Sequence, residues 1–248
     1  MIQVAIATAG FAVVHSALAS RTAKRTATRI LGERNRNGLY RVFFITQSII
    51  TFSLLAAYVR TLPTQEFYRI KSPLVWLMYG MQAGALVYTI AAARQVGIMR
   101  ITGLASFASW LGCGPVPPEP EAQGPALDSA GLVRKSGPFA WSRHPLNMAP
   151  LVILWLWPTM TSTLFAFNAT ATIYLLVGSL HEEARLRAAY GDGYSAYQRS
   201  GVPFFFPWPT RNPSQSIQEM LSTQKLDRKC DSHSTIVELQ VHRLPQAP

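Results

Sequence analysis

Three apolar stretches dominate the first hundred residues, and each is long enough to cross a bilayer as a helix. They cover residues 2–19, 40–59 and 74–93. About 20 apolar residues are needed to span a hydrocarbon core. A signal peptide is the alternative for the first stretch, but the basic residues follow it instead of preceding it. The pattern therefore predicts three membrane-spanning helices.

A fourth apolar stretch, residues 146–180, is too long for one straight span. A helix of that length would measure about 50 Å, whereas a hydrocarbon core is about 30 Å thick. Pro158 lies near its middle, and proline removes a backbone donor and clashes with the preceding turn. The stretch therefore predicts a helical hairpin with arms over 146–157 and 160–180, of which the first arm is short.

The segments around the hairpin are more polar. Residues 101–136 form a loop rich in Gly and Pro, and residues 181–199 have a helical pattern that Gly191 and Gly193 interrupt. The tail from Thr210 is polar without a sustained period, which predicts disorder. The fold class expected is an all-α polytopic transmembrane protein of about five spans. We divide it into a three-span region, a region with the hairpin and terminal helix, and a tail: 1–100, 101–209 and 210–248.

Composition and charge support a membrane protein. Only 14% of the residues are charged, against about 25% in soluble domains. The net charge of +11 collects beside the apolar stretches, which is typical of membrane topology and not of a nucleic-acid-binding stripe. The positive-inside rule predicts an outside N-terminus and a cytoplasmic C-terminus. The basic-loop pattern favours a bacterial inner membrane, and it also occurs in organelles. The strongest basic cluster follows the first span: Arg21, Lys24, Arg25, Arg29, Arg34 and Arg36.

Several kinds of site are not predicted. Cys113 and Cys230 are far apart, in a loop and in the tail, and indicate neither a disulfide framework nor a metal site. The chain has no glycine-rich nucleotide-binding motif and no H-E-x-x-H motif. His15 lies inside the first span, where a hydrogen bond between helices is the commoner role for such a residue.

The ends of the hairpin carry the most reactive side chains. Arg143 and His144 precede it, and His181, Glu182 and Glu183 follow it. A hairpin brings its two ends together, so these groups are expected to be neighbours. Ionisable groups beside hydrocarbon are candidates for functional sites. Two interpretations stay open, namely a structural ion pair and a site for a charged ligand.

These residues also carry a resemblance. The segments SGPFAWSRHPLN and EEARLRAAYGDGYSAYQRSGVPFFFP resemble the isoprenylcysteine carboxyl methyltransferase-like superfamily of integral membrane methyltransferases. The sequence WPTMTSTLFAF inside the hairpin looks more like the bacterial methanethiol S-methyltransferase-like branch. The matching positions are Gly137, Phe139, Arg143, His144, Pro145, Glu182, Glu183, Leu186, Tyr190, Gly191, Tyr194, Tyr197, Val202 and Pro203.

The resemblance implies S-adenosylmethionine as methyl donor, bound at the cytoplasmic face. In that family the loop before the R-H-P motif, the His-Pro segment and the first Glu of the pair hold this cofactor. Carried over by position, the cofactor-binding residues are Gly131, Leu132, Val133, Arg134, Phe139, His144, Pro145, Leu146, Asn147 and Glu182.

Two positions depart from the family pattern. Asn147 stands where the family usually has Tyr, and an amide cannot stack as a ring does. Gly178 stands one turn before Glu182, where the carboxyl-methylating members have an Arg. A carboxylate acceptor is therefore disfavoured relative to a small lipophilic acceptor, such as a thiol that enters from the bilayer.

A thiol acceptor must lose its proton, because the thiolate is the nucleophile. Candidate residues for that step are His144, Glu183 and Tyr190, and the sequence does not choose among them. The alternative functions are methylation of an isoprenylcysteine or a phospholipid, and a non-catalytic membrane protein that retains the fold. No metal ligand and no nucleic-acid partner is predicted.

Overall fold

The computed structural model describes residues 1–118 and 124–206. The tail and Cys230, for which predictions were made, lie outside these residues. The described elements in chain order are α1 (Ile2–Ala19), α2 (Arg21–Leu31), α3 (Glu33–Thr61), β1 (Glu66–Arg69), α4 (Leu74–Val96), α5 (Ile98–Ile101), α6 (Leu104–Leu111), α7 (Pro138–Trp141), α8 (Pro145–Trp155), β2 (Thr159–Thr161), α9 (Ser162–Tyr190) and α10 (Asp192–Arg199).

The predicted all-α polytopic membrane fold is confirmed. Within the described ranges, four helices are long and apolar enough to cross a membrane, namely α1, α3, α4 and α9. The bounds of α1 equal the predicted first span, and α4 continues three residues beyond the predicted third span. The second span is longer than predicted because α3 already begins at Glu33, within the basic segment.

The fourth of the five predicted spans is the short first arm of the hairpin. Helix α8 has 11 residues, which corresponds to about 16 Å and therefore to half of a hydrocarbon core. It packs between α4 and α9. Gln82 on α4 donates hydrogen bonds to the carbonyls of Ile153 and Leu156, at 3.2 and 2.8 Å. Two carbonyl groups at the end of α8 therefore receive their hydrogen bonds from a neighbouring helix.

The second arm of the hairpin extends further than predicted. Helix α9 continues from the apolar arm through the polar segment as far as Tyr190, since no helix breaker separates the two parts. Gly191 ends it with a φ of 54°. The other predicted interruption, Gly193, lies inside α10. A Cβ on Gly193 would meet the carbonyl oxygen of Gly131 at 2.2 Å, so this glycine serves close packing.

Short elements occupy two segments that were predicted as connections. The strands β1 and β2 pair antiparallel and join the 62–73 connector to the hairpin bend. Helix α6 lies in the Gly- and Pro-rich loop and packs on α3. A Cβ on Gly38 of α3 would lie 2.6 Å from Trp110 of α6, so the absence of a side chain at Gly38 allows this contact.

Contacts between helices place the ends of α1, α4 and α9 and the starts of α3 and α8 at one end of the bundle. The hydroxyl of Tyr40, near the start of α3, donates to the carbonyl of Leu18 at the end of α1. Arg41 donates to Ile101, just after α4. Helix α1 also packs on α9. The start of α8 and the end of α9 lie at this same end, hereafter called the site end.

The polar residue of the first span has the role expected of it. His15 Nδ1 is hydrogen-bonded to the hydroxyl of Ser48 on α3, at 3.0 Å. Its ring also packs 4.7 Å from Phe44 and 6.2 Å from Tyr174 of α9. His15 therefore joins three helices.

Candidate functional site

The R-H-P segment is held in place by the chain that follows α10. The backbone N–H of Arg143 donates to the carbonyl of Pro203 at 2.9 Å. The buried hydroxyl of Ser142 donates to the carbonyl of Phe204 and accepts from the backbone N–H of His144, both at 3.2 Å. Arg143 also donates through Nη1 to the carbonyl of Val202. These bonds fix the direction in which His144 enters α8.

Glu183 is a buried carboxylate surrounded by donors from two segments of the chain, the start of α8 and helix α10. Its Oε1 accepts from Arg143 Nε at 2.7 Å, from His144 Nε2 at 3.3 Å and from the Tyr194 hydroxyl at 3.4 Å. Its Oε2 accepts from Gln198 Nε2 at 2.8 Å. Hydrogen bonds to the charged form of a carboxylate favour that form. Glu183 is therefore a fixed anion.

His144 is 2% exposed, and each of its ring nitrogens faces a carboxylate. Nε2 lies 3.3 Å from Oε1 of Glu183, so a neutral ring with its proton on Nε2 donates that proton to this carboxylate. Nδ1 lies 3.4 Å from Oε2 of Glu182, but it has no hydrogen-bond partner among residues 1–118 and 124–206. The ring packs against Phe204, with centroids 4.7 Å apart. A buried nitrogen is thus left available next to a carboxylate.

Glu182 forms the more open half of the acidic pair. Its side chain is 31% exposed. Asn147 Nδ2 donates to Glu182 Oε2 at 3.1 Å and to the hydroxyl of Ser179 at 2.9 Å. Residues 179, 182 and 183 share one face of α9 because they are three and four positions apart. Asn147 therefore links α8 to α9 beside His144.

The predicted loop 131–134 forms a small turn. It packs against the start of α10, where Gly193 lies next to the carbonyl of Gly131. Asp128 Oδ1 accepts from the backbone N–H groups of Ala130 and Leu132, both at 2.9 Å. Gly131 has a φ of 75°, which a glycine adopts without strain. Val133 is buried against Leu186, whereas Gly131, Leu132 and Arg134 are exposed.

The apolar members of the predicted cofactor set pack between helices. Phe139 is 3% exposed and forms a cluster with Ala92 and Val96 of α4, against which Leu146 also packs. Pro145 is fully buried at the start of α8. The carbonyl of Phe139 accepts from the hydroxyl of Tyr197. These residues adjoin the polar group formed by Arg143, His144, Glu182 and Glu183.

Two predicted neighbours lie away from the polar group. His181 is exposed at the site end. Tyr190 packs on the core cluster around Leu186. A Cβ on Gly124 would lie 3.4 Å from the Tyr190 hydroxyl, so this hydroxyl faces the Gly124 backbone. Of the three candidates for a proton-transfer role, the structure brings His144 and Glu183 together and leaves Tyr190 apart.

Sequence reasoning assigned no role in the site to Ser179, Tyr194 or Gln198. Tyr194 and Gln198 contact Glu183, and Ser179 accepts a hydrogen bond from Asn147. Ser179 could have been found from its position one turn before Glu182. Tyr194 belonged to the quoted motif, but nothing in its spacing indicated a bond to Glu183. Gln198 had no signal in the sequence, because the break at Gly191 decides where α10 points.

The charges of the group do not cancel. Glu182 and Glu183 contribute two negative charges, and Arg143 contributes one positive charge with its guanidinium on Glu183. With a neutral His144, one negative charge is left over at Glu182. Burial raises the pKa of Tyr194 and of Tyr197 above the usual value of 10.0, so both phenols remain neutral donors.

Several methanethiol S-methyltransferases are similar to this chain in sequence. Methanethiol S-methyltransferase of Mycobacterium tuberculosis is 40% identical over 74 residues, which are 30% of this chain and 30% of that protein. Methanethiol S-methyltransferase 1 of Bradyrhizobium diazoefficiens is 27% identical over 201 residues, which are 80% of this chain and 64% of that protein. The chain thus spans less than two thirds of the length of these relatives. No family model and no solved structure matches the chain.

A third relative, the methanethiol S-methyltransferase of Pseudomonas deceptionensis, is 36% identical over 93 residues, which are 38% of this chain and 35% of that protein. The relatives named here are all bacterial. The resemblance predicted from the paired motifs and the hairpin is confirmed: this chain is similar to the methanethiol S-methyltransferase-like branch.

Proposed function

We propose that this protein is an integral membrane methyltransferase that uses S-adenosylmethionine and acts on a small thiol. The observation that carries the proposal is the polar group of Arg143, His144, Glu182 and Glu183, with the free Nδ1 of His144 beside the exposed edge of Glu182. The names of the similar proteins supply the reaction and the thiol.

The residues present fit the proposed donor. S-adenosylmethionine is a cation that supplies an electrophilic methyl group when it is bound. The uncompensated charge of Glu182 suits a cation, and its carboxylate accepts from ammonium or hydroxyl groups. Asn147 holds this carboxylate in place. The backbone of the turn 131–134 and the predicted residues around Phe139 complete the proposed cofactor site.

The proton of the thiol needs an acceptor, and His144 is the best candidate in the group. Glu183 already accepts four hydrogen bonds, which stabilise its anion and make it a weak base. Nδ1 of His144 is free to take a proton. The resulting imidazolium would lie between two carboxylates. Methyl transfer itself needs alignment of the two reactants more than covalent participation of the protein.

The proposed function is tested with the full chain purified into nanodiscs. Donor binding is measured with labelled S-adenosylmethionine, and methyl transfer is measured with methanethiol, a larger alkyl thiol and a prenylated cysteine. We expect transfer to the small thiol. The double variant His144→Ala with Glu182→Ala should lose donor binding, because it removes both the free nitrogen and the uncompensated charge.

The matched control is His181→Ala, which removes an exposed histidine adjacent to Glu182. It should bind the donor as the unmodified protein does. Undiminished binding in the double variant would contradict the site assignment. Binding without transfer to any acceptor of the panel would favour a non-catalytic protein, and transfer to the prenylated cysteine alone would change the acceptor class.

A further inference from the structure

Helix α10 contacts the polar group although no residue of that helix belongs to the proposed donor site. Gln198 Nε2 donates to Glu183 Oε2 at 2.8 Å, and the Tyr194 hydroxyl approaches Glu183 Oε1 at 3.4 Å. Tyr194 is fully buried, and Gln198 is half-buried on the next turn. Both side chains lie on one face of α10, since they are four positions apart.

The other donors to Glu183 come from the start of α8. Arg143 Nε and His144 Nε2 both bond to Oε1, so that oxygen is shared by two groups besides Tyr194. Oε2 has Gln198 as its donor. Gln198 on Oε2 and Arg143 on Oε1 together fix the orientation of the carboxylate plane, and Gln198 opposes a rotation that would take Oε1 away from His144.

We propose that Gln198 and Tyr194 are positioning residues that act on His144 through Glu183. They hold the carboxylate so that it accepts from Nε2 and keeps the proton of the neutral ring on that nitrogen. Nδ1 is then left without a proton, directed toward the side of Glu182. The catalytic role of this tautomer rests on the proposed function. The tautomer itself can be measured in the protein without any ligand.

The role proposed for Gln198 differs from that of Tyr197, which stabilises the packing of the fold. Tyr197, on the same helix, bonds to the backbone carbonyls of Phe139 and Ser142, and its loss would loosen packing. Gln198 bonds to a side-chain carboxylate and contributes no such backbone contact among the described residues. Replacing Gln198 should therefore change the state of His144 more than the stability of the bundle.

The direct test is the tautomer of His144, read by long-range nitrogen–proton NMR of histidine-labelled protein in nanodiscs. The chain has five histidines, and His144→Ala assigns the signal. The unmodified protein should show the proton on Nε2. In Gln198→Leu and in the double variant with Tyr194→Phe, the signal should shift toward a mixture of the two tautomers. Arg199→Gln, at the exposed neighbouring position, is the matched control.

A second measurement uses the pH dependence of donor binding. The groups that face Glu183 are Arg143, His144 and Tyr194, with Glu182 beside it on α9. Gln198→Leu should weaken binding about tenfold at every pH, since His144, beside the proposed donor site, is then no longer held in one tautomer. Gln198→Glu places a second carboxylate against Glu183. This variant should weaken donor binding more at neutral pH. Binding should recover at lower pH, because protonation of the introduced carboxylate restores a hydrogen-bond donor to Glu183.

These results separate the inference from the proposed function. A protein that binds no S-adenosylmethionine would refute the proposed function, whereas the NMR result would still decide the inference. An unchanged His144 tautomer in the double variant would overturn the inference. Equal binding losses for Gln198→Leu and Gln198→Glu across the pH range would overturn it as well.

Discussion

Two adjacent glutamates have different roles because they lie in different surroundings. Glu183 turns into the bundle, where Arg143, His144, Tyr194 and Gln198 donate to it. Glu182 remains partly exposed and receives Asn147. The sequence predicted the acidic pair and its approach to the R-H-P segment. It could not predict the division of roles, because the rotation of α9 decides which carboxylate is buried.

The ion pair of Arg143 and Glu183 should contribute to stability. Arg143→Met leaves a buried carboxylate without its guanidinium, and removal of one partner of a buried pair costs roughly 3–5 kcal/mol. The partial exposure of Arg143 places the expected value at the lower end. The measurement is the thermal midpoint in nanodiscs. Arg199→Met, at an exposed position, is the control, and an equal midpoint for both variants would contradict the prediction.

Gly178 offers a test of the acceptor route at a position that tolerates a side chain. A Cβ there would meet no atom within 4 Å, and the residue lies one turn before Glu182 on α9. Leucine is a better helix former than glycine, so Gly178→Leu should fold. If a thiol approaches over this face, KM for the thiol should rise about tenfold while donor binding is unchanged. An unchanged KM would exclude this route.

At the scale of elements, the short helix α8 depends on its neighbours. It does not span a bilayer, yet it carries His144 and Asn147 into the site end. Its far end is satisfied by Gln82 from α4, and Asn168 of α9 donates to the carbonyl of Leu154 at 2.7 Å. The hairpin and its bend near Pro158 followed from the apolar length. The contacts of Gln82 did not, since they join residues 71 and 74 positions apart.

Replacement of Gln82 should destabilise α8. Gln82→Leu leaves the carbonyls of Ile153 and Leu156 without this donor in a nonpolar setting, at a cost of roughly 2 kcal/mol. The expected result is a lower thermal midpoint in nanodiscs. The matched control is Gln95→Leu on the same helix, whose bond to Ser136 is exposed and should contribute less. Equal midpoints would show that water or another group satisfies the end of α8.

At the scale of the molecule, the orientation in the membrane stays a prediction of the charge pattern. The loops at the site end carry the basic residues, which predicts that this end faces the cytoplasm. A cytoplasmic site would also meet a water-soluble donor.

Cys113 provides a natural label for that orientation. It is a free, exposed thiol in the loop after α6. In a Cys230→Ser background, a membrane-impermeant thiol reagent should label it in inverted vesicles and not in intact cells. Lys71→Cys combined with Cys113→Ser, in the 62–73 connector at the opposite end, should give the reverse pattern. Labelling of Cys113 in intact cells would contradict the predicted topology and indicate the opposite orientation.

The sequence by itself determined the membrane class, the helical hairpin, the paired motifs and the resemblance, because apolar length and local spacing are properties of the chain alone. The tertiary structure decided that the short helix α8 packs between α4 and α9, and that α9 runs on to Tyr190. It also decided that Glu183 is enclosed by α10 while Tyr190 turns away. These features depend on helix rotation and on contacts between distant segments, which a linear pattern does not contain.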